Sequence, residues 1–197
     1  MSKPKLIVFA KAPVPGLVKT RLMAGMSAQA AAKIYEQLLS HTLQEADGVN
    51  AELMIWRAGD AEHAYWQQWP NLHFYEQPEG DLGQKMAQAI SYVNGPAIVI
   101  GSDCLELTAG YIECAIEALN DGVDVVLGPA SDGGYVLIGM SDLRLPLFEN
   151  IQWSSDKVLS QTLAAITVSH LSHVLLPELN DIDTVQDATA AGLFSNR

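Results

Sequence analysis

Leu6-Ile7-Val8-Phe9-Ala10 is a short apolar run that ends abruptly in Lys11-Ala12-Pro13-Val14-Pro15-Gly16. A run of that length and β-rich composition, bounded by polar residues, predicts a buried strand. Two prolines and a glycine can neither continue a strand ladder nor enter a helix interior, so the strand must end in a stiff loop. That loop delivers Lys11, Lys19 and Arg21 close together. A cationic loop at the carboxyl end of a buried strand is where open α/β sheets bind phosphorylated ligands. The plainer alternative is a solvated loop carrying ordinary surface cations.

The charge distribution favours the anion site. The chain has 11 Lys+Arg against 23 Asp+Glu and a formal net charge of -12, yet its first acidic residue is Glu36. Every base before that point, namely Lys3, Lys5, Lys11, Lys19, Arg21 and Lys33, stands in a segment with no acid. A basic segment in an acidic protein marks a local anion site. Nucleic acid is argued against, because a polyanion needs a broad basic face. One small anionic ligand fits better.

The 197 residues suit a single domain, 1–197, with a sizeable core. No apolar run approaches the roughly 18 residues of a membrane span, and the N-terminal run is too short for a signal peptide. Cys104 and Cys114 have neither CxxC spacing nor enough partners for a zinc site or a disulfide framework. The expectation is two reduced and mostly buried thiols in a cytoplasmic protein.

Along the chain, Ser27 is placed to cap a helix running to about Ala46. Strands are predicted at Ala51–Trp56 and Leu72–Tyr75, with a short helix between Asp60 and Trp69. Asp81-x-x-Gln84 is a helix-start pattern. Its helix should run to about Tyr92, and a fully apolar strand, Ala97–Ile100, follows. Thr108 is placed to cap a further helix closing near Gly122. Strands are expected at Val123–Leu127 and Tyr135–Met140, joined by a glycine-rich connection, Gly128–Gly134. Ser154 or Ser155 is expected to open the next helix. His170–Leu176 is the last strand candidate, and Thr184 caps a terminal helix. Trp56, Trp66 and Trp69 read as packing residues. This alternation predicts an α/β fold around a largely parallel sheet.

Asp103 follows directly on an apolar strand, at the sheet edge where ligands collect. A carboxylate there suits a hard cation, since Mg²⁺ uses one or two protein carboxylates and completes its shell with phosphate oxygens and water. A turn or helix cap is the alternative role. Asp132 stands beside Gly133-Gly134, where a backbone can approach a ligand; it could orient a hydroxyl, act as a base, or simply suit a tight turn. Asp181 and Asp183 flank Ile182, so in an extended segment one of them could complete a metal shell, or both are ordinary residues ahead of a capped helix. The GxGxxG, P-loop and GxSxG signatures are absent. His170 and His173 are a poor metal pair and read as structural or exposed.

FAKAPVPGLVKTRL (9–22), GDLGQKM (80–86), IGSDC (100–104), GPASDGGYVLIG (128–139), WSSDKVLSQTL (153–163) and LPELNDIDT (176–184) occur in that order. Together they resemble the bacterial nucleotide-diphospho-sugar transferase-like family, often labelled glycosyltransferases of the arsenosugar-biosynthesis type and long catalogued as a domain of unknown function. The resemblance implies the GT-A fold, with a mostly parallel mixed sheet and helices on both faces. It implies that Ala10, Lys11, Gly16, Lys19 and Arg21 hold the nucleotide phosphates, and that Gln77, Asp81 and Gly83 lie near the base or ribose. It places Asp103 and Asp183 as the metal-binding carboxylates. Leu105 stands where the family pattern has proline, and a proline expected near Ala24 is missing; both departures touch loop shape and leave the charged groups in place.

The expected function is a metal-dependent glycosyltransferase. It would bind a nucleoside diphosphate sugar with Mg²⁺ or Mn²⁺ and pass the sugar to a small acceptor. Lys19 and Arg21 would stabilise the leaving diphosphate, and Asp132 would act on the acceptor. A nucleotidyltransferase using a nucleoside triphosphate and a phosphorylated small molecule is the second reading. A non-catalytic nucleotide-sensing module is the third. Homo-oligomerisation is left open.

Overall fold

The computed structural model describes residues 3–194. One seven-stranded sheet of order β3-β2-β1-β4-β6-β5-β7 organises them. The strands are β1 (Lys5–Lys11), β2 (Glu52–Ala58), β3 (His73–Glu76), β4 (Ala97–Ile100), β5 (Val125–Pro129), β6 (Tyr135–Met140) and β7 (His173–Leu175). The helices are α1 (Ala28–Asp47), α2 (Leu82–Ser91), α3 (Ala109–Asn120), α4 (Val158–Val168) and α5 (Val185–Ala190). The expected α/β class and mostly parallel, mixed sheet are what the chain forms.

The two-residue period of a strand explains how β1 sits at the centre. Leu6, Val8 and Ala10 enter the core on one face, among residues of α1 and α3. Ile7 and Phe9 enter the other, among residues of α2 and α4. Both faces are therefore covered, which is why the sequence reads as an unbroken apolar run. β1 pairs in parallel with β2 on one side and with β4 on the other. The chain thus leaves the centre in opposite directions after β1 and before β4, and a crevice opens at the carboxyl ends of these two strands.

β6 is the one strand that runs against the rest, antiparallel to both β4 and β5. Its connection from β5 is only Ala130–Gly134, far too short for the crossover a parallel partner needs. Ala130 N–H donates to the Gly134 carbonyl at 3.1 Å and Gly133 turns with φ 88°.

Local signals set most helix ends. Ser27 accepts from Ala30 N–H, Thr108 from Tyr111 N–H, and Asp81 with Gln84 forms a reciprocal capping box. The segment between Asp60 and Trp69 forms a short 3₁₀ turn, Ala64–Gln68, in place of an α-helix. The predicted start of the fourth helix at Ser154 or Ser155 is corrected to Val158. Ser155 Oγ donates to Gln152 O at 2.6 Å, and Ser154 sits at φ 63°, outside the helical region. The helix start is satisfied from elsewhere, because Leu159 N–H donates to the Gly133 carbonyl at 2.9 Å. The segment before it, 149–157, is left as an irregular loop over the carboxyl edge of the sheet. Among the described residues, no helix is long and apolar enough to cross a membrane.

Candidate active site

The loop after β1 folds back as a 3₁₀ turn, Thr20–Ala24, introduced by Lys19 at φ 45° and ψ 46°. A left-handed lysine costs about 1–3 kcal/mol and persists only where its surroundings hold it. Here they do. Lys19 Nζ donates to Asp103 Oδ2 and to Asp183 Oδ1, both at 2.9 Å, and its side chain is 5% exposed. Arg21 donates to Asp183 Oδ2 at 2.9 Å but remains 70% exposed. Burial alone would lower the Lys19 pKa, but the Asp103 and Asp183 carboxylates outweigh it and hold the ammonium above its ordinary value. Asp103 and Asp183 therefore meet across a lysine of the chain itself. The structure thus places a counter-charge between the two carboxylates.

Long-range backbone contacts bring these groups together. Asp103 lies just past β4. Ile182 N–H donates to the Asp103 carbonyl at 3.2 Å, and Asn180 N–H donates to Glu106 Oε2 at 2.8 Å, so the segment carrying Asp181 and Asp183 lies along the Asp103 loop. Asp181 is directed into the same region. Its burial, and then the Asp103 charge, push its carboxyl up to about 8 against the pull of Lys19. Its Oδ1 is buried without a hydrogen-bond partner.

A buried hydroxyl pair ties the two halves of the crevice. Lys11 N–H donates to Tyr35 Oη at 2.9 Å, and Tyr35 Oη shares a hydrogen bond with Ser102 Oγ at 2.9 Å. Burial pushes the Tyr35 phenol up to about 12, so it stays neutral. Tyr35→Phe should leave Lys11 N–H and Ser102 Oγ unsatisfied and cost about 1–3 kcal/mol, read as a lower urea midpoint with an unchanged slope. An unaltered midpoint would remove this pair from the support of the site.

Two cavities meet at the Asp103–Asp183 pair. The first, of about 360 Å³, is lined by Phe9, Ala10, Leu17, Lys19, Tyr35 and Gln77 among others. The second, of about 700 Å³, is lined by Asp132, Tyr135, Trp153, Ser154, Asp156 and Asp181 among others. Lys11, Thr20, Arg21, Leu82, Asp103 and Asp183 line both.

The anticipated residues fall into two groups. Ala10, Lys11, Lys19, Arg21, Asp103 and Asp183 line the first cavity, and Asp132 lines the second. Gln77 also lines the first, and its Nε2 donates to the Ala10 carbonyl at 3.1 Å and the Trp56 carbonyl at 2.8 Å, bracing the ends of β1 and β2. Gly16, Asp81 and Gly83 do not line either cavity. Gly16 turns the loop at φ 86°, and Asp81 caps α2. Gly83 is where α2 meets Trp153, because a Cβ there would stand 2.5 Å from the indole. Reading the chain in order missed Trp153, Ser154 and Asp156, although they lie inside the quoted WSSDKVLSQTL motif; that stretch was assigned to a helix start.

Asp103, Asp181 and Asp183 offer only oxygen donors, the set that suits Mg²⁺ or Mn²⁺. Among the described residues, no group of three or more His, Cys, Asp or Glu side chains stands close enough together to hold a metal ion by itself. The unpartnered Asp181 oxygen, and the two carboxylates facing one another across a single ammonium, fit a divalent ion that takes part of its shell from a ligand.

The family described as "Uncharacterized protein conserved in bacteria" (DUF2064) matches residues 39–155. A crystal structure from Desulfovibrio desulfuricans G20, of a protein assigned as a nucleotide-diphospho-sugar transferase, superposes with a TM-score of 0.90 at 31% identity; the match covers 97% of this chain and 87% of that one. This chain belongs to that family. The family fold extends to more distant proteins. CMP:2-keto-3-deoxy-manno-octonic acid synthetase complexed with CTP matches with a TM-score of 0.62 at 10% identity, over 98% of this chain and all of that one. The inositol-1-phosphate CTP transferase from T. maritima matches at 0.59 and 12% identity, over 95% and 92%. No curated protein matches the chain.

Proposed function

We propose that this protein transfers a sugar from a nucleoside diphosphate sugar to a small acceptor, with Mg²⁺ or Mn²⁺ as cofactor. The broader class is a transferase that uses a nucleotide. The reading is supported by its relatives, among them one assigned as a nucleotide-diphospho-sugar transferase and others that act with CTP. The observation that carries the finer reading is the pair of cavities meeting at Lys11, Arg21, Asp103 and Asp183. Two substrates can then approach one charged junction from opposite sides.

In this reading the first cavity holds the nucleoside and directs the diphosphate toward the junction. Lys11 and Arg21 neutralise phosphate charge there, and the buried Lys19 keeps the two carboxylates in place. Asp103 and Asp183, with Asp181 beside them, would hold the divalent ion, which supplies charge neutralisation on the diphosphate. Asp132 faces the second cavity. One of its oxygens accepts Gly134 N–H at 2.8 Å, leaving the other for an acceptor hydroxyl.

A thermal-shift series tests the reading. A ligand that binds only the folded state raises Tm, by about 2.7 kcal/mol of stability at a hundredfold excess over Kd. Nucleoside diphosphate sugars with Mg²⁺ should give the largest shift, and chelator should reduce it. A larger shift with nucleoside triphosphates would transfer the assignment to nucleotidyl transfer, and binding without turnover would make the protein a sensor. Asp132→Asn should keep the shift and lower the transfer rate by about 10²–10⁴-fold, the usual contribution of a positioned base. Lost donor affinity with normal turnover would instead make Asp132 a binding residue.

A further inference from the structure

We infer that the second cavity receives a hydroxyl-rich acceptor that is neutral or cationic, and excludes a phosphorylated one. This rests on the reading above, in which the first cavity holds the nucleotide. The inference comes from how donors and acceptors divide between the walls.

All the cationic side chains lining the two cavities, Lys11, Lys19 and Arg21, belong to the nucleotide cavity or to its shared rim. Lys19 and Arg21 are already engaged by Asp103 and Asp183. Beyond the rim the wall carries Asp132, Asp156 and Asp181, with Ser154 and Ser155, and no lysine or arginine. Among the described residues, Asp156 accepts no side-chain hydrogen bond and Asp132 accepts only the one from Gly134. An ionised carboxylate presents about four acceptor positions and no donor. Such a wall is satisfied by O–H and N–H groups. A phosphate brings only further acceptors and like charge.

The rest of the wall is aromatic. Trp153 stands edge-to-face with Tyr135, ring centres 6.5 Å apart and planes at 89°. Gly83 gives the indole close approach to α2, and the indole lines the same cavity as the carboxylates. An aromatic plane with carboxylates around it suits a ring that is apolar on its face and hydroxylated at its edge, or a cation.

The transfer balances with such an acceptor. The acceptor hydroxyl oxygen forms the new bond to the anomeric carbon, and its proton passes to the Asp132 carboxylate. The bond from that carbon to the diphosphate oxygen breaks, and the electron pair leaves with the diphosphate. A phosphorylated acceptor attacking through its phosphate would have to stand beside Asp132 and Asp156.

The test uses the full chain saturated with a nucleoside diphosphate and Mg²⁺. Saturation-transfer NMR and calorimetry measure matched probes, namely glucose, glucosamine and glucose 6-phosphate, with the corresponding ribose and glycerol derivatives. The neutral and amino members should bind at least tenfold more tightly than their phosphates. Asp156→Lys, at an exposed loop position, should narrow or reverse that ratio. Phosphates binding as tightly as the neutral probes overturn the inference, as does saturable binding by none of the probes. Failure of the diphosphate itself to bind in the preparatory titration would instead sink the proposed function.

Discussion

Lys19→Met is expected to destabilise the protein by about 2–3 kcal/mol in chelator and to weaken nucleoside diphosphate binding by about 1–3 kcal/mol. The ammonium holds two carboxylates at 2.9 Å, and both would face each other with only Arg21 remaining on Asp183. Removing one partner of a buried ion pair costs 3–5 kcal/mol. Asp103 and Asp183 are 40% and 32% exposed, so water screens part of the loss and the expectation is set lower. Asp183→Asn should cost less, because Lys19 keeps Asp103. Millimolar Mg²⁺ should restore more stability to Lys19→Met than to the wild type, since the divalent ion would take over the role of the lost ammonium. Urea unfolding with and without Mg²⁺ measures all three. A variant as stable as the wild type in chelator would show that the lysine does not hold the junction together.

The second large effect is expected at the hairpin between β5 and β6. Gly133 has φ 88°, and a Cβ on it would run into the backbone carbonyl of Asp156 and stand 2.8 Å from that residue's carbonyl carbon. Alanine at a left-handed position costs about 1–2 kcal/mol, and forcing apart packed backbone adds about 1–3 kcal/mol. Gly133→Ala should therefore lose about 2–5 kcal/mol. Gly16→Ala is the control, because Gly16 has φ 86° with nothing within 4 Å of its Cβ position. It should lose only the conformational part. The Gly133 variant should also push the 149–157 loop, with Trp153 and Asp156, away from the second cavity. Donor Kd should change little while transfer falls. Equal losses in the two variants would show that the loop yields without resistance.

Much of this architecture is local and was legible along the chain. Four-residue and five-residue apolar runs marked β4 and β1, because a strand covered on both faces has no polar alternation to lose. Ser27, Asp81, Thr108 and Thr184 marked helix starts, since each cap closes on a backbone N–H within a few residues. The prolines after β1 placed a cationic loop at the sheet edge. Family membership followed from ordered motifs that carry both fold and site.

Other features depend on groups far apart in sequence. Lys19 meets Asp103 and Asp183 across 84 and 164 residues, and no pattern near position 19 reports that its ammonium is shared. The fourth helix takes its first support from the Gly133 carbonyl, so the serines before it were free to line a cavity. Sequence determined which segments are buried and where charge could gather at the sheet edge, because burial and capping write a local period. Tertiary structure alone decided which charges neutralise one another and which oxygens remain unpartnered, because those outcomes belong to strand order and to the docking of 176–183 along the Asp103 loop.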